Sequence, residues 1–508
     1  MTSRLNSSSN PYGIALYVSL IVLSLLRFYY ILHGPLDLSA DEALYWDCTR
    51  HLDLSYYSKG PLVVYMMYVT TSLFGTNVFA IRMMAVVLSF LSSVFLYKLV
   101  VAMYDRNGNT INSAETVNET VSEKTRHYRG HYYSDERFLA LLCAMLLQII
   151  PLFATYGIVF TIDSPFVFFW ILSLYLLWNA VNVRVGAKGG IMPWVALGVS
   201  VGLGFQAKYI MAFFYICAFL FFLSNDKGKW LQNPKTYLAL FISLVVFSPV
   251  IIWNMQHGWV TLKHTGGHAH LADGLRISLK SFGEFIGTQA GVVTPVLFVL
   301  MSVALFGLRR SENEKTLQSS FLFYFSIPLL CFFLLKSIQG RVEANWAMAG
   351  YITGIIAFVR YYFYAAGDNV PRIRGKHTRR LVYAAIITAF VVTAVSHFPY
   401  VLRLPPKIDP SEKLRGWKSL GDEVSSIYES MRKEGGASRV FIFSDKYQLT
   451  SLLAFYVKGH PITYSINLGR RMNEYDMWPG INDTFRATGQ NQPVNGIFVT
   501  DGDKPFRL

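Results

Sequence analysis

The chain has 508 residues, of which 53% are apolar, 16% aromatic and only 15% charged, against about 25% charged in an ordinary soluble protein. With a mean hydropathy of +0.34, this composition excludes a disordered, collagenous or coiled-coil chain and reads as a protein solvated mostly by lipid. Four cysteines (Cys48, Cys143, Cys217, Cys331) exclude a disulfide scaffold or a Cys-rich zinc site. The net charge of +15 would suggest nucleic acid in a soluble chain. In a membrane protein it is the excess of Lys and Arg that cytoplasmic loops carry, and no nucleic-acid partner is expected.

Apolar stretches near the length of a span lie at 12–32, 78–104, 138–155, 163–181, 192–206, 210–224, 236–253, 286–307, 320–336, 343–365 and 381–400. The first is too long for a signal peptide and has no small-residue cleavage site, so it reads as an anchor. A twelfth stretch, 61–75, is short and bounded by Gly60-Pro61 and Gly75. It suits an interfacial helix. With the N-terminus inside and 61–75 interfacial, the inside segments hold 19 Lys and Arg and the outside connections 7. The positive-inside rule therefore favours about eleven spans. The insertion 105–137 is polar and reads as a flexible cytoplasmic loop. After the Pro-rich LRLPPKIDP the charge density becomes ordinary. SRVFIFSD, PITYSI and VNGIFVT read as strands, and 411–434 and 447–457 as helices. The expectation is an α-helical polytopic membrane domain over 1–402 and a small α/β domain over 403–508, on the outer face.

The outer connections carry the chemistry. Residues 33–60 hold five carboxylates (Asp37, Asp41, Glu42, Asp47, Asp53) and the aromatics Tyr45, Trp46, Tyr56 and Tyr57, ending at Lys59. Asp41 or Glu42 can serve as general base or metal ligand, although Ser39 or Asp41 can equally cap a helix over ALYW. Lys59 sits between tyrosines and the interfacial helix, where a lysine meets a lipid phosphate or snorkels. Asp163 stands at the mouth of the fourth span as a second acid or a cap. Lys208, beside Tyr209, is the only charge between 189 and 225, and needs an anion, water or the interface. The seventh span runs into Asn254, His257, Lys263, His264, His268 and His270. These histidines suggest zinc only weakly, since no HExxH is present. Arg341, Glu343 and Asn345 enter the tenth span at a depth where ionisable groups line a substrate path.

These segments resemble the glycosyltransferase C superfamily, in particular its bacterial polyprenyl-phosphate-dependent members, the protein mannosyltransferases and the lipid A aminoarabinose transferase. The resemblance rests on DEALYW (41–46), LSYYSKGPLVVYM (54–66), FGTNVFAIRM (74–83), DSPFVFFW (163–170), GLGFQAKY (202–209), SPVIIWNMQHGW (248–259), GRVEANWA (340–347), FSDKYQLTSLLAFYV (443–457) and NLGRRMNEYDMWPG (467–480), in order. It implies an enzyme of a bacterial inner membrane. Such an enzyme moves a sugar from a polyprenyl phosphate to a lipid A, glycan or protein acceptor on the periplasmic side, usually with inversion. It implies Asp41 as catalytic, Tyr56, Tyr57 and Lys59 as the phosphate segment, Asp163 as a second acid, and Lys208 and Arg341 as further phosphate partners. The C-terminal domain would help choose the acceptor, with Arg470 and Arg471 as contacts. Metal dependence varies across the superfamily, so a divalent ion stays open. One departure is Lys59-Gly60-Pro61, where the family often has Lys-Pro-Pro. The competing reading is a transporter or flippase of a lipid-linked sugar, which inverted repeats would support. No such repeat is visible.

Overall fold

The computed structural model describes residues 10–104, 136–182, 190–268, 277–310, 316–363, 375–398, 411–434, 440–486 and 495–501. The expected loop 105–137, but for its last two residues, and the exit 402–410 lie outside them, as do the side chains of His268 and His270. The protein spans the membrane several times. Among the described residues, six helices are long and apolar enough to cross it: Pro11–His33, Val78–Tyr104, Asp163–Val181, Pro234–Gln256, Leu317–Gln339 and Lys376–His397. The Leu317–Gln339 span is interrupted between Tyr324 and Ile327.

The other apolar stretches are shorter or broken, and local chemistry says why. The stretch 286–307 is not one straight helix: Leu279–Val293 and Pro295–Arg310 meet at 97°. Pro295 disfavours the α conformation at the preceding residue, and Thr294 there adopts φ 76°. Pro151 likewise divides Glu136–Ile149 from Pro151–Thr155. At Lys208 the chain turns extended between Met192–Ala207 and the 3-10 turn Tyr209–Met211. Leu62–Phe74 has 13 residues, below the roughly 20 that a span needs.

The molecule is apolar on the outside as well as in its core. Asp163–Val181 is the central helix, burying Phe166, Trp170, Leu174 and Trp178. The outer helices expose apolar side chains instead: Ile14, Leu25 and Leu26 on the first, Phe241 on Pro234–Gln256, and Ile387 and Phe390 on the last. Lipid is the solvent these faces require. Met192–Ala207 joins the centre to the periphery through small residues. Its Gly198-x-x-x-Gly202 face lies so close to Pro234–Gln256 that a Cβ would meet Ala239 O and the Val246 Cβ, each at 2.6 Å. This is the close backbone approach that small residues permit between helices in lipid. On its other side Ser200 and Ser173 share a 2.9 Å hydroxyl hydrogen bond.

The C-terminal residues form a three-stranded parallel sheet, order β2-β1-β3, from β1 (Val440–Ser444), β2 (Thr463–Ser465) and β3 (Asn495–Val499). Helices Trp417–Glu434 and Tyr447–Tyr456 accompany it. Val440, Ile442, Leu449, Leu453, Val457 and Ile497 make its own small core. This segment is fastened to the first outer connection. Leu38 N–H donates to the Tyr456 hydroxyl at 2.7 Å, Trp417 N–H to Asp37 at 2.9 Å, and the Ser451 hydroxyl to Ala40 O at 3.1 Å.

Candidate active site

The first outer connection folds into a nine-residue helix, Ala40–Cys48, opened by a capping box in which Ser39 and Glu42 satisfy each other's backbone N–H groups. Glu42 does more than cap. It is fully buried, and Oε1 accepts from Arg82 Nε at 2.8 Å and Phe160 N–H at 3.0 Å. Its Oε2 accepts from Ser39 N–H at 2.8 Å and Arg82 Nη2 at 2.9 Å. Arg82 also donates to Leu36 O and Asp37 O. Glu42 therefore joins three parts of the chain, and its lone pairs are committed.

Asp41, one residue earlier, is half-buried and has no hydrogen bond or ion pair among the described residues. Its charge reaches three phenols. Burial first, and then the Asp41 charge, raise the pKa of Tyr45 well above its usual value and push that of Tyr447 up to about 12. Burial also raises Tyr156, helped by the charges of Asp163 and then Asp41. All three stay protonated donors at neutral pH. The Tyr45 hydroxyl is buried without a partner among the described residues, a donor placed where the Asp41 and Asp163 charges both reach it. Sequence reasoning missed Tyr156 and Tyr447. Tyr447 lies in the motif FSDKYQLTSLLAFYV without being singled out there, and no motif marks Tyr156; both reach Asp41 only through tertiary packing.

Asp163, at the first turn of the central helix, is held from both sides. Lys208 Nζ donates to Oδ1 at 2.6 Å and Asn345 Nδ2 to Oδ2 at 2.7 Å. Lys208 is buried and lies 5.6 Å over the Phe166 ring. The Lys59 charge reaches Lys208, although Lys59 itself has no ion pair among the described residues. Two ammonium groups within electrostatic reach repel each other unless an anion lies near them. Gly60 creates this proximity: a Cβ there would stand 1.9 Å from Gln206 O, two residues before Lys208. A proline would clash in the same way, which explains the departure from Lys-Pro-Pro.

The rest of the phosphate segment is anchored. Tyr56 is buried, with Asp53 N–H donating to its hydroxyl at 3.3 Å. Tyr57 N–H donates to Glu474 at 2.8 Å, its ring meets His264 edge-on at 4.9 Å, and the Arg471 charge reaches its hydroxyl. Trp253 Nε1 donates to Asp53 at 2.7 Å, and His257 stacks on that indole at 4.1 Å. Asn254 is structural, receiving Thr261 N–H at 3.3 Å and donating to Val250 O at 3.0 Å. Tyr209 packs edge-on against Phe247 at 6.0 Å.

Arg341 is exposed and pairs with Glu343 at 3.0 Å, so its charge is balanced locally. Arg470 forks onto Asp476, at 2.7 and 3.2 Å, and donates to the Ser465 hydroxyl at 3.0 Å. It ties β2 to the turn Glu474–Asp476. Among the described residues no group of three or more His, Cys, Asp or Glu is disposed to hold a metal ion. With an ammonium on one Asp163 oxygen and an amide on the other, this carboxylate is a poor fit for a divalent ion.

A family model described as dolichyl-phosphate-mannose-protein mannosyltransferase matches residues 133–253. By fold, the chain is similar to ArnT from Cupriavidus metallidurans, at TM-score 0.55 and 12% identity over 96% of this chain and 94% of that one. The fold is shared with that protein. A second ArnT structure, bound to undecaprenyl phosphate, aligns at TM-score 0.55 and 13% identity, covering 95% of this chain and 90% of the other. In sequence, the chain is 26% identical to the lipid A galacturonosyltransferase RgtD of Rhizobium johnstonii over 325 residues, 64% of this chain and 60% of the relative. It is 25% identical to an undecaprenyl phosphate-alpha-4-amino-4-deoxy-L-arabinose arabinosyl transferase of Pseudomonas fluorescens over 167 residues, 33% of this chain and 25% of that enzyme. These matches thus span less than two thirds of the first relative and a quarter of the second. The family match covers Asp163, Lys208 and the Pro234–Gln256 helix up to Trp253.

Proposed function

We propose that this protein is an inner-membrane glycosyltransferase that moves a sugar from a polyprenyl phosphate to an acceptor of the cell envelope, lipid A above all. The observation that carries the reading is that Asp41 is the one uncommitted carboxylate among the described residues of the first outer connection, beside a separate group of cations. Asp41 removes the proton of the acceptor hydroxyl. The resulting oxygen attacks the anomeric carbon as the bond from that carbon to the phosphate oxygen breaks. The departing polyprenyl phosphate keeps the electron pair, and the anomeric configuration inverts. Lys59, Tyr57, His264 and Arg471 hold the phosphate, with Lys208 behind them. Asp163 and Asn345 position Lys208, and Glu42 with Arg82 fixes the helix that presents Asp41. The similarity to a lipid A galacturonosyltransferase and to arabinosyl transferases supports the substrate classes.

In this reading the chain crosses the membrane about eleven times, with 61–75 interfacial, 33–60 as the active-site loop and 403–508 a periplasmic α/β domain. The charge asymmetry of the loops and the strand-helix-strand order support these assignments. The transporter alternative gains nothing from an uncommitted Asp41 whose charge reaches three phenols. Undecaprenyl phosphate binding tests the phosphate end: purified Lys59→Ala protein binds at least about tenfold more weakly than the wild type, the loss of one charge-assisted contact. Unchanged binding in that variant sinks the assignment of the phosphate site.

A further inference from the structure

A cavity of about 630 Å³ lies between the end of the Ala40–Cys48 helix and the C-terminal segment. Asp47, Arg50, His51, Tyr475, Trp478 and Asn482 are among its walls, and none of Asp41, Lys59, Asp163 or Lys208 is. Asp47 follows Asp41 by six residues on one helix, about 9 Å along its axis and on a different face. The cavity is therefore separate from the base yet rigidly coupled to it.

Its one arginine is already paired. Arg50 Nε donates to Asp47 Oδ1 at 2.7 Å and the Tyr475 hydroxyl to Oδ2 at 2.6 Å. Arg50 also donates to His460 O at 2.9 Å and lies 4.8 Å over Trp46. Burial lowers the His51 pKa, so that ring is neutral at pH 7. No unpaired cation is left in these walls to attract a phosphate. What remains is a locked set of rings with amides around it. His51 stacks on Trp478 at 4.3 Å, and Tyr475 meets Trp478 edge-on at 5.0 Å. Asn467, Asn482 and Asp483 complete the polar wall. Fixed aromatic faces beside amide and carboxylate groups match a pyranose, whose C–H face packs on a ring while its hydroxyls take the polar partners. Arg470 acts here indirectly: its fork onto Asp476 and Ser465 holds the turn that carries Tyr475.

We infer that this cavity is a saccharide subsite, which takes an uncharged pyranose unit of the acceptor glycan and so sets where along that glycan Asp41 acts. The inference rests on the glycosyltransferase reading for the word acceptor, though the binding itself does not. The test is calorimetric titration of the purified full chain with the core oligosaccharide of lipopolysaccharide, freed of acyl chains and phosphates. The wild type binds it saturably. Trp478→Ala weakens binding about tenfold or more, Trp478→Phe recovers most of the loss, and inorganic phosphate does not compete. Asn482→Ala, at an exposed position, weakens binding without lowering the melting temperature, which separates lost contact from lost fold. Unchanged binding in Trp478→Ala, competition by phosphate, or no saturable binding to the wild type would each overturn the subsite. Saccharide binding without any sugar transfer would leave the subsite standing and remove the enzyme reading.

Discussion

Asp41 and Glu42 are adjacent acids with opposite surroundings. Glu42 accepts four hydrogen bonds and pairs with a buried arginine, whereas Asp41 faces phenols and has no partner among the described residues. Glu42→Ala leaves the buried Arg82 without its counter-ion, holding only the Leu36 and Asp37 carbonyls, a loss of about 3–5 kcal/mol. A clear fall in melting temperature, or failure to accumulate, is the expected result. Asp41→Asn leaves the melting temperature where it was and lowers sugar transfer about a hundredfold or more. The sequence shows an acidic pair after a capping serine. Which of the two is structural depends on Arg82 and Phe160, which lie 40 and 118 residues away along the chain, and no local pattern carries that information.

At the scale of elements, the breaks matter more than the helices. Lys208 is extended between two apolar helices, and this is what lets one lysine turn back onto Asp163. The isolated charge was visible in the sequence; its partners, Asp163 and Asn345, were singled out separately and not as one cluster. Gly60 is the second such point. Gly60→Ala must displace the Gln206 carbonyl and with it the spacing of Lys59 and Lys208. The expected outcome is undecaprenyl phosphate affinity lowered severalfold with expression retained, measured by binding to protein in nanodiscs. The sequence marks this glycine only as a departure from Lys-Pro-Pro, since the carbonyl it touches comes from a distant helix. The stretch 286–307 shows the opposite limit. Its apolar length reads as one span, and the single residue pair Thr294-Pro295 turns it by 97°.

For the whole molecule, the membrane character was legible because lipid-facing helices need apolar length alone, and Pro11–His33 and Lys376–His397 expose such faces. The docking of the C-terminal segment onto the first outer connection was not legible. It depends on single hydrogen bonds between residues about 400 apart, such as Tyr57 to Glu474 and Tyr475 to Asp47. Glu474 makes this docking pH-sensitive. Burial, with help from the Asp53 charge, pushes its carboxyl up to about 8 against the hydrogen bond from Tyr57, from a usual value of 4.5. The folded state then binds more protons than the unfolded state between those values, so its contribution to stability is full below about pH 4.5 and is lost as pH rises through 8. Glu474→Gln keeps the acceptor for Tyr57 N–H and removes the titration. Thermal unfolding of this variant varies less with pH between 4.5 and 8 than that of the wild type; an unaltered pH profile would show that Glu474 is not the group responsible.

The central claim is that Asp41 is the base of a sugar transfer from a polyprenyl phosphate. The most direct measurement is transfer of radiolabelled sugar from undecaprenyl phosphate into lipid A and other envelope fractions, by membranes with equal amounts of wild-type and Asp41→Asn protein. The account predicts label in the wild-type fractions and, in the variant, loss to about a hundredth or less. Equal transfer by both would contradict it.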